Sequence, residues 1–223
     1  MPRLRLIHLL LLSLCVSVPV SGKPPANWDG LVQVPSKRAD YLYLRPGADF
    51  RQYNAILLEP VEVAFQKNWQ KEMNRSRSGL SKVSNSDVRR TIERAQGKLG
   101  AIFEKRFRAT GLQIVTAPAE NVMSVFVAVA NVAVTAPEIR SAGRAHTFAR
   151  EAGSGVLIIE VRDSLSGELL GRAVDHDYAG DNMVLLRDSG SNWADFEQMF
   201  DDWAKISANG FQRLIAAPPV VSH

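Results

Sequence analysis

Asp175-His176-Asp177 is the trio in this chain that most resembles catalytic machinery. A hydrolase needs a histidine oriented by a carboxylate and facing a nucleophile. On a strand, successive side chains point to opposite faces, which turns His176 away from both aspartates. A triad would need partners from elsewhere, or would use His146 with its own neighbouring carboxylates. The plainer reading is a solvated strand end. The same stretch fails as a calcium loop. Asp175-x-Asp177-x-Ala179-Gly180 lacks the third ligand, and Leu186 stands where a bidentate glutamate is required. Asp181 adds one oxygen for an ad hoc cation site and no more. Beyond residue 22 the histidines are His146, His176 and His223, with no cysteine and no His-x-x-x-His spacing for zinc. There is no G-x-S-x-G elbow, phosphate-binding P-loop or G-x-G-x-x-G. Gly153-Ser154-Gly155 places a serine between glycines but opens a strand. The expectation is therefore no catalytic residue, no metal site and no cofactor.

Two basic clusters could meet anionic partners. One is Lys67, Lys71, Arg75, Arg77 and Lys82 in a polar segment. The other is Arg140, Arg144 and Arg150, with His146 among them. Lipid phosphates or acidic wall polymers suit such charge, although ordinary solvated surface has the same composition. Single-stranded nucleic acid would call for aromatic rings between the charges, and Trp69 alone is there.

Composition narrows the classes further. Of 223 residues, 46% are hydrophobic and 22% charged, ordinary values for a globular domain with a real core. Residues 1–22 read as a removable export leader: Arg3 and Arg5, then an apolar run, then Val20-Ser21-Gly22, which puts small residues at the −3 and −1 positions before Lys23. Removing it lowers Lys plus Arg from 27 to 25 against 23 acidic residues, a net of about +2. That is too little for nucleic-acid binding, which needs a concentrated basic patch. The apolar run is shorter than the roughly 20 residues of a membrane span. The single cysteine, Cys15, lies in the leader, so the exported part forms no disulfide and no thiolate site. Lipidation at Cys15 is the rival reading. It places Leu14 where a small residue is wanted, and it strands Val16 to Val20 on the processed end. The expected address is the periplasm, with an outer-membrane lipoprotein anchored through Cys15 as the alternative.

The elements that must position these residues follow from periodicity. Residues 23–28 form a Pro-rich lead-in. Residues 40–44 alternate as a strand and 45–49 turn. A second strand covers 55–65, with Pro60 marking an edge or bulge. Residues 66–83 read as a loop. Residues 84–109 are the clearest helix: Ser84 and Asp87 form a capping box, and Val88, Ile92, Ala95, Leu99, Ile102, Phe103 and Phe107 make one stripe. Gly111 suits the cap that ends it. Strands follow at 113–116 and at 122–136. The latter is valine-rich, apolar on both faces, and carries Asn131, which argues against a membrane helix. Residues 137–154 form a loop. A hairpin of strands 155–162 and 168–177 turns at Gly167. Residues 178–191 are irregular. A last helix runs from Asn192, with Trp193, Phe196, Phe200 and Trp203 on its core face, and stops at Pro218-Pro219. Trp193, Phe200 and Trp203 could instead line an exposed partner groove, but their spacing says core. The expected fold is one α+β domain over 23–223. It is a two-layer sandwich with a mostly antiparallel sheet against two amphipathic helices.

Three stretches together carry a resemblance: Trp28-Asp29-Gly30-Leu31 followed by Asp40 to Gly47, the hairpin from Ile159 to Leu170, and Trp193 through Phe200-Asp201-Asp202-Trp203. They resemble the bacterial envelope family known as domain of unknown function 3313, over nearly the whole exported chain. Many relatives in that family are lipoproteins, from which this chain departs at Leu14. The hairpin is also similar to one in envelope lipoproteins of the curli-secretion and penicillin-binding-protein-activator type, a likeness of fold alone. The resemblance implies an envelope setting and no activity to carry over residue by residue.

The leading functional expectation is a non-catalytic envelope module. It would meet another envelope protein, anionic lipid headgroups or cell-wall polymer, but not nucleic acid, and it has no membrane span in the exported chain. A hydrolase using His176 or His146 is a second reading. A small-molecule or lipid carrier is a third, and it requires an apolar cavity.

Overall fold

The computed structural model describes residues 25–135, 147–149, 151–180, 185–187 and 189–221. The leader with Cys15, and Arg140, Arg144, His146, Arg150, Asp181 and His223, lie outside the described residues.

The chain opens with β1 (Asn27–Trp28), β2 (Leu31–Val34) and β3 (Tyr41–Leu44). The lead-in is therefore a small hairpin, turned by Asp29 and Gly30, both at positive φ. Composition hid it, because two-residue strands carry no readable alternation. The expected strand at 55–65 is two: β4 (Ala55–Leu58) and β5 (Glu62–Phe65). Pro60 has no N–H to offer a ladder and separates them. Between β5 and the long helix the expected loop contains a short helix, α1 (Trp69–Met73), and one 3-10 turn. Trp69 anchors this segment. Its ring stacks on Phe65 with centroids 4.3 Å apart, and its Nε1 donates to the Val134 carbonyl at 3.2 Å.

The long helix α2 (Asn85–Arg108) starts as its capping box requires. The Asp87 N–H donates to Ser84 Oγ and the Ser84 N–H to Asp87 Oδ2, at 3.2 and 2.9 Å. Ala95, Leu99, Phe103 and Phe107 are buried along one stripe, and Gly111 takes φ +84° beyond the end. Then come β6 (Gln113–Val115) and β7 (Val122–Val134). Next are β8 (Thr147–Ala149), β9 (Gly153–Asp163) and β10 (Leu169–Ala179). The chain closes with β11 (Leu185–Arg187) and α3 (Ser189–Ala216). β8 and β11 pair with each other, where no strand was expected. α3 begins earlier than Asn192. The Asn192 side chain lies inside the helix and is buried, with Nδ2 donating to the Ala152 carbonyl at 3.2 Å.

The main sheet has nine strands in the order β1-β2-β3-β10-β9-β7-β4-β6, with β5 also on β7. β1 through β3, β10, β9 and β7 pair antiparallel. The far side is parallel: β4 with β7 and β6, and β5 with β7. Short connections had favoured a mostly antiparallel sheet, and five of its ladders pair that way. α2 intervenes between the β4–β5 stretch and β6–β7, and such a crossover returns the chain parallel. β7 is 13 residues long, so β4 and β5 lie end to end along one of its edges. A bulge after Ala130, where Asn131 takes φ 52°, adjusts that register.

α2 and α3 pack on one face of the sheet, against Met123, Val125, Val127 and Val129 of β7 and Leu157, Ile159 and Val161 of β9. Phe107 meets Phe211 edge-on at 5.2 Å, and Lys98–Glu197 and Arg106–Asp201 ion pairs join the two helices. Among the described residues no helix is long and apolar enough to cross a membrane. This is the α+β arrangement of sheet and helices expected from the sequence.

β9 begins with glycines that lie beneath aromatic rings of α3. A β-carbon on Gly153 would stand 1.9 Å from the Ala133 carbonyl oxygen and 2.7 Å from the Phe196 ring. Gly153→Ala is expected to destabilise the fold by about 3 kcal/mol or more, since the backbone must move. Gly97, exposed on α2 with nothing near its missing side chain, should do the reverse. Gly97→Ala gains about 0.5–1 kcal/mol. Urea unfolding midpoints of both variants against the parent check the pair.

Candidate functional site

α3 is seated on the sheet unevenly. Phe196, Phe200 and Trp203 in its first half are buried, with Phe196 over Gly153 and the Trp203 ring near Gly155. Beyond Trp203, small residues face small residues: Ser207 and Gly210 on α3, Gly171 and Ala173 on β10. Protein interiors normally fill such space. Here it stays open as a groove of about 290 Å³. The floor is Leu42, Leu44, Leu157, Ile159 and Val161, and Ile206, Phe211 and Leu214 close the helix side. This volume lies at the small end of the roughly 300–1,000 Å³ of small-molecule sites.

Four charged residues line this apolar space, and one of them, Arg172, turns its guanidinium to Glu160 on the opposite face of β10. Asp175 stands at the Trp203 end. Its Oδ2 accepts Trp203 Nε1 at 2.9 Å and its Oδ1 accepts the Asp40 N–H at 3.1 Å. Burial pushes its pKa up, against the pull of those two hydrogen bonds. Arg38, on the loop before β3, and Arg213, on α3, are exposed at the walls. Neither was singled out by the sequence, because single arginines on a loop and a helix look like ordinary surface.

The other face of the same strands is built differently. Glu160 and Arg172, paired across β9 and β10, are 2% and 4% exposed. Arg172 Nε and Nη2 donate to Glu160 Oε1 at 2.9 and 2.6 Å, while Arg162 holds Oε2 at 2.8 Å. Trp28 from β1 covers the Arg172 guanidinium at 4.1 Å, and Asp29 pairs with it at 2.8 Å. Every carboxylate oxygen of Glu160 is engaged, so this cluster fastens the β1–β2 hairpin to the sheet.

A polar hollow of about 510 Å³ lies by the β9–β10 turn, lined by Arg45, Tyr53, Asp163 and Glu168. Tyr53 Oη donates to Asp163 Oδ2 at 3.1 Å. Burial first, then that bond, pushes the phenol up to about 12. Asp163 is held below the usual carboxylate range by the Ser166 N–H and hydroxyl, with help from Tyr53 and the Leu165 N–H. Neither group is poised near neutral pH, where general acid–base catalysis works best.

The residues singled out from sequence are scattered. His176 is exposed and meets Tyr178 edge-on at 4.8 Å. It points away from Asp175, as strand alternation requires, while Asp177 Oδ1 accepts the Tyr178 N–H at 2.8 Å. Among the described residues no three His, Cys, Asp or Glu side chains gather as a metal site. Lys67, Lys71, Arg75 and Lys82 are exposed on the α1 segment, and Arg77 is half-buried with Nη1 toward the Ser81 carbonyl at 3.4 Å. None of these five lines the groove. Phe200 and Trp203 are core, as their spacing indicated, and Trp203 also forms one groove wall. Trp193 is half-buried beneath Arg94, whose guanidinium lies 4.2 Å from the ring.

Asp163 makes a pH prediction. Its folded pKa is lowered, so its contribution to stability is fully present above the ordinary aspartate value of 3.8 and is lost as pH falls through the folded value. Asp163→Asn should lower stability at neutral pH and flatten the acid limb below about pH 5. Urea melts across that range read both effects.

No curated protein matches the chain. Among solved structures, the PelC dodecamer from Paraburkholderia phytofirmans is similar at 12% identity and a TM-score of 0.36, over 74% of this chain and 94% of that one. A single-substitution variant of the same PelC in another crystal form gives 12% identity, a TM-score of 0.34, 72% and 94%. The family described as Protein of unknown function (DUF3313) matches residues 24–206, spanning everything from the β1 hairpin to the middle of α3, and the chain belongs to that family.

Proposed function

We propose that this chain is a non-catalytic envelope protein that binds an apolar chain in the groove beneath α3. The observation that carries the reading is the groove itself: about 290 Å³ of space lined by leucine, isoleucine, valine and aromatic side chains. A carrier or sensing module needs such a space, and a fully packed helix–sheet interface would have argued against it. Export rests on the leader-like residues 1–22. The exposed basic segment with Lys67, Lys71, Arg75 and Lys82 lies off the groove and is free to meet anionic headgroups or wall polymer. A non-enzymic role is supported by His176 and Asp175 lying on opposite faces of β10, and by a Tyr53–Asp163 pair displaced from neutrality.

Straight-chain alcohols test the reading without charge. Each methylene moved from water into the groove is worth about 0.8 kcal/mol, about fourfold in Kd. Titration calorimetry with alcohols of increasing length should show that step until the chain outgrows the groove. Ala173→Leu puts a side chain into the space and should abolish binding while leaving the melting temperature at or above the parent value. The absence of any length dependence, or unchanged binding by Ala173→Leu, overturns the proposal.

A further inference from the structure

We infer that the ligand of this groove is a single-chain fatty carboxylate, with its tail on the apolar floor and its carboxylate held by Arg38 and Arg213. The inference rests on the groove being a binding site and adds the chemistry of the head. The arginines elsewhere on this protein mostly have carboxylate partners: Arg51 with Asp49, Arg106 with Asp201, Arg108 with Glu104, Arg162 with Glu160. Arg38 and Arg213 have none among the described residues. Both nonetheless line the groove, one on the loop wall and one on the helix wall. Arg213 leans back along α3, its Nη2 3.8 Å from where a β-carbon on Gly210 would stand. Gly210 itself lines the groove, so the absence of a side chain there leaves room for the guanidinium at its wall.

Asp175 is the one acidic group in the lining, and each of its oxygens accepts one hydrogen bond, from Trp203 Nε1 and from the Asp40 N–H. Lone pairs remain on both oxygens, but the arginines at the walls outnumber this single carboxylate, so the lining favours an anionic head. The two arginines supply planar donors suited to carboxylate geometry. The groove volume sets the tail at one slender chain, which excludes a two-tailed lipid.

The experiment compares dodecanoate, dodecan-1-ol, dodecyltrimethylammonium and dodecyl phosphate below their micelle thresholds, by calorimetry. Dodecanoate should bind about tenfold or more tightly than dodecanol, the value of a charge-assisted contact. The ammonium compound should bind more weakly than dodecanol. The Arg38→Gln, Arg213→Gln double variant removes two exposed side chains that have no carboxylate partner among the described residues, so the fold should be kept. It should lose the dodecanoate advantage and keep dodecanol affinity. If dodecanol itself fails to bind, the groove reading falls. If dodecanol binds as well as dodecanoate and the double variant changes nothing, the groove stands and the carboxylate inference falls. If dodecyl phosphate binds tenfold better than dodecanoate, the head is a phosphate and the inference is overturned.

Discussion

The absence of side chains at the start of β9 governs how this fold is put together. Phe196 and Trp203 are large rings, and a helix carrying them would ordinarily ride high above a sheet. Gly153 and Gly155 give them bare backbone to settle on: the Phe196 ring edge lies 2.7 Å from the position of a Gly153 β-carbon, and the Trp203 ring 3.6 Å from that of Gly155. This fixes the height of the first half of α3. The position of α2 follows, because it reaches α3 through Lys98–Glu197, Arg106–Asp201 and Phe107–Phe211. The groove follows as well. Once the rings have landed, the axis of α3 continues over Gly171 and Ala173, and Ser207 and Gly210 are too small to fill the gap.

β10 serves two surfaces by alternation. Gly171, Ala173 and Asp175 face the groove, while Arg172 and His176 face away. On that second face Arg172 and Glu160 are almost entirely removed from water, which costs several kcal/mol for each charge. The cost is offset by a bifurcated contact to Glu160 Oε1, a second arginine on Oε2, and Trp28 over the guanidinium plane. A well-packed apolar pair would stabilise a sheet at least as well. What an ion cluster adds here is registry. It accepts one placement of the β1–β2 hairpin, the one that brings Asp29 to Arg172 and Trp28 onto its face. β2 in turn pairs with β3, so the cluster also steadies the strand that carries Leu42 and Leu44 into the groove.

Sequence patterns made some of this legible, and physics explains the division. α2 could be read almost to the residue, because its capping box and its stripe are local signals within one element. The long strands and the turn at Gly167 were readable for the same reason. Strand alternation foretold that His176 and Asp175 would part company. The smaller, parallel side of the sheet was hidden, since pairing of β4 with β7 is a long-range event that local spacing does not encode. The split at Pro60 was marked in the sequence and read too mildly. The site was the least legible part. Leu42, Ala173, Ser207 and Arg213 come from three elements, and each looks ordinary where it stands. Only their juxtaposition makes a cavity. The basic residues of the 66–83 segment could be seen in the sequence, but their distance from that cavity could not.

The groove is preformed because both ends of α3 are pinned. At the start, Asn192 reaches the Ala152 carbonyl and Phe196 sits against Gly153. At the end, Pro218-Pro219 stops the helix, and Val220 trades backbone hydrogen bonds with Ala48 and Gly47 at 2.9 and 2.8 Å. A helix tied at both ends cannot settle into a void at its middle without breaking one of the ties. A helix tied only at Trp203 would be free to tilt down until Ile206 and Leu214 met the sheet. The staple at Val220 therefore matters to the proposed binding as much as the lining does. It holds the space open in advance, so a ligand of the kind proposed would not spend affinity on lifting the helix. A space maintained in this way, by backbone ties outside its own lining, tolerates changes in that lining without a change in the fold around it.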